Sequence, residues 1–243
     1  MTNCILSEYR SDKCASCSHL CPHRIALHGL DGKSGRIGNA GLPADYRGIT
    51  LANSPAREGQ TKIYELLEKY VGTFGGGEEK SLYLWSESPG TGKTTTASAL
   101  ISEWIARDYL GAIKRGEQPR QFSAYFLDIN AWQTEYNEFN RPRVPDNIAE
   151  PAAERYYRAM ERARTAPFAV YDDIGVREKT SDAFRGDLHS IINYRVTEGK
   201  PTVYTSNLTL KDMENVFDAR LYDRIRDQCG ELFFEGVSKR GRR

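Results

Sequence analysis

The stretch SESPGTGKTTT at residues 86–96 sets Gly92, Lys93 and Thr94 between the apolar run SLYLW and a longer amphipathic run. A strand, a glycine turn and a helix start in that order make an anion cradle. Successive backbone N–H groups and the helix N-terminus face the anion, and the lysine adds a point charge. In the G-x-x-x-x-G-K-[ST] pattern that anion is the phosphate chain of a nucleotide, and the hydroxyl after the lysine holds magnesium. Pro89, Gly90, Thr91, Gly92, Lys93, Thr94 and Thr95 are the expected binding residues, with Lys93 on the terminal phosphates and Thr94 on the metal. The first glycine of the pattern is replaced by Glu87. A carboxylate aimed at phosphates would repel them, so Glu87 is expected to point away while Pro89 and Gly90 supply the turn.

The stretch PFAVYDDIG at 167–175 ends an apolar run in two carboxylates. Asp172 is expected to hold magnesium, directly or through water, and Asp173 to orient and deprotonate an attacking water. Paired aspartates after a strand also serve as turns or helix caps; following a phosphate loop, the catalytic reading is preferred. Asn207 closes the next apolar run, PTVYTSN, and could position the water near the γ-phosphate or cap the following turn. Arg220 and Arg224 lie four apart in ARLYDRIRDQ, either as solvated charge or as a finger reaching a neighbouring subunit's γ-phosphate.

A second cluster could bind metal. Cys4, Cys14, Cys17 and Cys21 place four of the five cysteines in the first 21 residues, with spacing C-x9-C-x2-C-x3-C. The start, MTNCILSEYR, lacks a signal-peptide pattern, and no apolar run approaches spanning length, so a cytoplasmic protein is expected. Thiols there read as metal ligands rather than disulfides. Four thiolates suit tetrahedral zinc, with His19, His23 or His28 near enough to replace one. An iron–sulfur cluster is the alternative, since C-x2-C-x3-C-P echoes ferredoxin-type runs. Cys229 reads as a core residue.

Several elements must position these groups. Residues 1–40 are short of apolar side chains and need a staple to fold. Ile63, Leu66, Leu67, Tyr70 and Val71 give the stripe of an amphipathic helix, as do Ala97, Leu100, Ile101, Trp104 and Ile105. Strands are predicted at 81–85, 122–128, 167–173, 201–207 and 231–236. Helices are predicted at 130–139, 147–164, 181–198 and 209–228, with Thr180 or Ser181 as a cap and Gly199 as a stop. Alternating strands and helices imply a mostly parallel sheet between helices. With 34 basic and 33 acidic side chains the net charge is +1, so a nucleic-acid contact must come from a local patch.

Six segments in order resemble the AAA+ ATPases, and more narrowly the bacterial and phage helicase loaders of the DnaC/DnaI type. They are GLPADYRG, PGTGKT, VYDDIG, LHSIINYRVTEGKPTVYTSNLTL, RLYDRIRD and FFEGVSKRGRR, and they run from about residue 40 to the end. The resemblance implies a RecA-like core with a five-stranded sheet and no lid domain over 41–243, preceded by the Cys-rich docking segment 1–40. It implies ATP and Mg2+ bound between self-associating subunits, and loading of a DnaB-type replicative hexameric helicase onto single-stranded DNA. By position, Lys93 and Thr94 would be the P-loop pair, Asp172 the metal ligand, Asn207 the sensor, and Arg220 or Arg224 the finger. Asp173 stands where most of the family has Glu, which implies slow hydrolysis.

The same resemblance implies DNA contact through the insertion INAWQTEYNEFNRPR. Trp132, Tyr136, Phe139, Arg141 and Arg143 could stack bases and pair phosphates there, or the aromatics could simply pack on the fold. The tail Lys239, Arg240, Arg242 and Arg243 could touch phosphates as well. Two other functions share most of these motifs: an IstB-like ATPase partner of a transposase, and a non-hydrolysing nucleotide-binding adaptor.

Overall fold

In a computed structural model, described for residues 4–9, 14, 18–77, 79–175, 181–215, 219–236 and 238, strands and helices alternate as the spacing predicts. In chain order they are α1 (Pro22–His28), α2 (Gly35–Asn39), α3 (Thr61–Gly72), β1 (Ser81–Trp85) and α4 (Lys93–Lys114). There follow β2 (Ala124–Asp128), α5 (Ile129–Phe139), α6 (Asp146–Thr165), β3 (Phe168–Asp172) and α7 (Asp182–Thr197). β4 (Thr202–Ser206), α8 (Ala219–Gln228) and β5 (Cys229–Phe233) complete the fold. The sheet order is β2-β3-β4-β1-β5. The pairs β1–β4, β1–β5 and β3–β4 are parallel, with Val170 opposite Val203 and Leu82 opposite both Val203 and Gly230. This is an α/β arrangement in which helices connect neighbouring parallel strands. β3 and β4 are buried along their whole length, which is why FAVYD and TVYTS read as nearly unbroken apolar or β-branched runs.

The chain divides into two compact units. The first comprises Met1–Glu79, Gly90–Phe126 and Phe234–Arg243, and the second Lys80–Pro89 and Leu127–Phe233. In the first unit, Ile5, Leu6, Leu27 and Ile37 are all at 1% exposure or less, whereas Leu20 and Leu30 stay exposed. Polar clamps do the rest. Tyr9 donates to the buried Glu103 on α4, and the His28 Nε2 accepts from the Ile5 amide at 3.2 Å. His23 Nδ1 meets the Tyr109 hydroxyl at 2.9 Å. The Arg36 guanidinium donates to the carbonyls of Ala26, Pro119 and Arg120. The short helices α1 and α2 carry no clear apolar period, and the sequence pattern does not reveal them.

In the second unit, α5, α6 and α7 pack on one another. Arg195 of α7 is fully buried and faces no carboxylate among its hydrogen-bond partners. It donates instead to the carbonyls of Ala163, Arg164, Ala166 and Pro201 and to the Thr202 hydroxyl, tying the end of α6 to the start of β4. The carbonyls of Ala163, Arg164 and Ala166 are ones a helix end leaves unsatisfied. Ser181 caps α7 through the Phe184 amide at 3.2 Å, and Gly199 ends it at φ 61°.

Within the predicted helix over 209–228, the described residues form a 3-10 turn, Asp212–Asn215, and the helix α8, Ala219–Gln228. Thr209 accepts from the Asp212 amide at 3.1 Å and donates to the Asp212 carboxylate at 2.6 Å. That local side-chain bonding favours the 3-10 turn Asp212–Asn215 over a continuous helix. No helix among the described residues is long and apolar enough to cross a membrane.

Candidate active site

The phosphate loop, in the first unit, is shaped by two glycines in left-handed backbone. Gly90 has φ 75° and Gly92 φ 103°, conformations that side chains rarely adopt. Gly92 also has no room: a Cβ there would stand 2.5 Å from the Ala56 Cβ. It is the N-cap of the 22-residue helix α4, so Lys93, Thr94, Thr95 and Thr96 form its first turn. The N-terminus and positive dipole end of that helix suit an anion. Lys93 is 5% exposed, and Thr94 and Thr95 are half-buried.

Behind the loop stands a layer that sequence reasoning missed. The Tyr64 hydroxyl lies 2.5 Å from the Ser54 hydroxyl and 2.9 Å from that of Thr96. Gln60 donates to the Thr91 carbonyl at 3.4 Å and the Glu235 carbonyl at 2.7 Å. The α3 stripe is correspondingly rotated, with Tyr64 buried and Leu66 half exposed to solvent.

The acidic pair, in the second unit, is organised by Thr205. Its hydroxyl donates to Asp172 Oδ1 at 2.6 Å and accepts from the Asp173 amide at 2.9 Å. Asp172 is buried, and its bond to Thr205 holds one carboxylate oxygen in place. Asp173 is half-buried and takes a left-handed φ of 57°. The chain then returns to the sheet, the Ile174 amide donating to the Thr205 carbonyl at 2.9 Å. Ser206 Oγ fixes the next turn by donating to the Ile174 carbonyl at 2.8 Å and accepting from the Leu208 amide at 3.1 Å. Asn207 follows directly, half-buried at the C-terminal end of β4. Ser86, just past β1, donates through its amide to the Ser206 carbonyl at 3.3 Å, and Glu87 beside it is exposed. Asp172, Asp173 and Asn207 thus share one strand-end cluster, while Gly90, Thr91, Gly92, Lys93, Thr94 and Thr95 share the loop.

The remaining candidates divide. Arg224 is exposed on α8 and bonds the Asn193 side chain. The backbone of Arg220 lies in α8, but its side chain falls outside what is described. Trp132 is 2% exposed, stacked on Tyr156 at 4.7 Å and 7°, with its indole N–H on the Tyr156 carbonyl. Tyr136 and Phe139 each lie 5.4 Å from the Tyr156 ring. Of the expected DNA-contacting set, Trp132 is therefore committed to packing, whereas Arg141 and Arg143 are exposed. Lys239, Arg240, Arg242 and Arg243 lie outside the described residues.

The described cysteines of the N-terminal cluster are not assembled as a metal site. Among the described residues no group of three or more His, Cys, Asp or Glu side chains is placed to share an ion. Cys4 is buried, Cys14 and Cys21 are partly exposed, and Cys17 lies outside the described residues. His23 and His28 are engaged elsewhere, and burial, with Arg24 nearby, lowers the His28 pKa to about 4. Among the described residues, Cys4, Cys14 and Cys21 are thus not part of a group that could hold zinc or an iron–sulfur cluster.

No protein-family model matches the chain, and no curated protein matches it in sequence. Solved structures do match its fold. DnaI aligns with TM-score 0.57 and 21% identity over 82% of this chain and 94% of that one. The DnaC helicase loader aligns with TM-score 0.56 and 21% identity over 79% of this chain and 100% of that one. The replication initiator DnaA bound to AMPPCP and single-stranded DNA aligns with TM-score 0.54 and 17% identity, over 80% of this chain and 51% of that one.

Proposed function

We propose that the chain is an ATP-switched loader of a DnaB-type replicative helicase, acting on single-stranded DNA as a self-associated assembly. The observation that carries this reading is the similarity in fold to DnaI and to the DnaC helicase loader, each aligned over nearly its whole length. The residues fit the nucleotide. The left-handed Gly90 and Gly92 free the loop amides for phosphate, and Lys93 follows them. Thr94 and Asp172 are the ligands that would hold Mg2+, which when bound neutralises the developing phosphate charge.

On this reading the chain's own groups divide the work. The loop amides and Lys93 bind the β- and γ-phosphates. Asp173 takes the proton from the attacking water, and Asn207 orients that water. Arg220 or Arg224 would reach the γ-phosphate of an adjoining subunit, so that hydrolysis depends on assembly. The short Asp173 supports slow turnover, suited to a switch more than to a motor.

Residues 1–40 would dock on the helicase. A zinc ion on Cys4, Cys14, Cys17 and Cys21 is a proposal supported by spacing alone, and metal analysis of the purified protein separates it from an iron–sulfur cluster. The function is tested by co-purification with the replicative helicase and by ATP turnover with and without single-stranded DNA. Capture of a transposase instead, or binding of ATP without any turnover, overturns the loader reading.

A further inference from the structure

We propose that Gln60 is a positioning residue that sets the orientation of the Thr91–Gly92 peptide and so prepares the loop for phosphate. The inference rests on the nucleotide reading above and adds to it a residue outside the motif. A trans peptide carries its C=O and N–H on opposite sides. Gln60 Nε2 donates to the Thr91 carbonyl at 3.4 Å, which turns the Gly92 N–H to the side away from Gln60.

That restraint matters because the backbone around Thr91 is weakly restricted by its own residues. Left-handed glycines at 90 and 92 flank Thr91, and glycine is the residue whose backbone is least restricted. A free peptide between two such hinges flips readily, and a flipped one would present its carbonyl to an anion. Gln60 is itself fixed, being 6% exposed and bonded by the same nitrogen to the Glu235 carbonyl at 2.7 Å. The Ala56 methyl closes the back of Gly92, and Tyr64 holds Thr96 on the far side of the lysine. Residues 54–64 therefore form a cradle for the loop's outer face, with Gln60 its only direct hydrogen-bond donor to the loop carbonyls among the described contacts. Through Glu235 the same side chain makes the loop's geometry depend on the residues that follow β5.

The test compares wild type with Gln60→Leu and Gln60→Glu on the full chain. The probes are a fluorescent non-hydrolysable ATP analogue and, as competitor, inorganic tripolyphosphate, which reports on the loop without a base. Loss of an oriented donor is expected to weaken both about 5- to 10-fold. Thermal unfolding of the ligand-free variants is followed in parallel: Gln60→Glu sets a buried carboxylate against two carbonyl oxygens and is expected to unfold at a lower temperature than Gln60→Leu, which only leaves them without a donor. A role confined to stability would lower the unfolding temperature and leave the affinity of the folded protein unchanged. Wild-type affinity for tripolyphosphate in both variants overturns the assignment of Gln60 alone. A wild-type protein that binds neither probe overturns the nucleotide reading together with it.

Discussion

The Thr205 hydroxyl donates to Asp172 Oδ1 at 2.6 Å and in the same position accepts from the Asp173 amide at 2.9 Å. One buried hydroxyl therefore sets both the carboxylate expected to carry the metal and the backbone of the expected base. Thr205→Val keeps the shape and removes both bonds. Turnover is expected to fall about 10- to 100-fold, as for other groups that orient metal ligands. The half-saturating Mg2+ concentration should rise with it, while nucleotide binding without metal holds. Thr205→Ser should recover most of the activity. Phosphate release measured across a Mg2+ titration checks this, and an unshifted metal dependence in Thr205→Val would remove Thr205 from the site.

Asp173 sits at φ 57°, where Asp and Asn are accommodated better than most side chains. This gives a physical reason for the short acid at a position where the family it resembles favours Glu. Asp173→Asn leaves the backbone undisturbed and removes only the base. Hydrolysis is expected to drop by about 10²- to 10⁴-fold, the usual contribution of general-base catalysis, with ATP affinity unchanged. Asp173→Ala is a poorer probe, since it adds about 1 kcal/mol of left-handed strain. Single-turnover hydrolysis beside equilibrium binding separates the two effects, and unchanged turnover in Asp173→Asn dismisses the assignment.

The sequence carried the strands and the loop because both obey local rules. SLYLW becomes β1 over the same five residues. Gly92 stands where a strand must turn into a helix. Thr205 was hidden for the opposite reason. In TVYTS it looks like an ordinary β-branched strand residue, and its role comes from the β3–β4 register that pairs Tyr171 with Tyr204 one position earlier. Gln60 and Tyr64 were invisible in the same way, since Thr91 and Thr96 lie more than 30 residues onward. Leu66 misled in the other direction: it fits the apolar period yet faces solvent, the place on the buried face being taken by a tyrosine with two hydroxyl partners.

Trp132 shows where composition alone misleads. Aromatics interleaved with arginine suit single-stranded DNA, but this indole is stacked on Tyr156 and spends its N–H on the Tyr156 carbonyl. Trp132→Ala should therefore act on stability, by about 3–5 kcal/mol. Arg141 and Arg143 are exposed and remain suited to phosphates. Arg141→Ala with Arg143→Asn, the latter chosen because residue 143 has φ 61°, should leave the melting temperature close to wild type. DNA affinity should fall, and the slope of log affinity against log salt should shrink by about 0.7 for each lost phosphate contact. Fluorescence anisotropy with a labelled oligonucleotide over a salt series reads both quantities. An unaltered slope in the double variant would take this segment out of the DNA-binding surface.

His28 ties the N-terminal residues to the rest of their unit only while it is neutral. Its Nε2 accepts from the Ile5 amide at 3.2 Å, which a protonated imidazole cannot do. Burial, and then the nearby Arg24 charge, lower its pKa from 6.5 to about 4. A base with a depressed folded pKa binds its proton more readily unfolded. Its stabilising effect is present in full above the unfolded value and is lost as pH falls from 6.5 toward 4, on the order of 3 kcal/mol over the whole window. The buried Glu103, which accepts from Tyr9, works in the opposite sense: burial raises its pKa, so its carboxyl favours the folded state as acid is added. His28→Gln isolates the histidine, because the amide oxygen can accept from Ile5 and does not titrate. Amide exchange over residues 4–9 should speed up between pH 7 and pH 5 in wild type, after correction for intrinsic rates, and much less in His28→Gln. Equal pH dependence in the two proteins would show that the N-terminal residues are held by something other than the His28 bond.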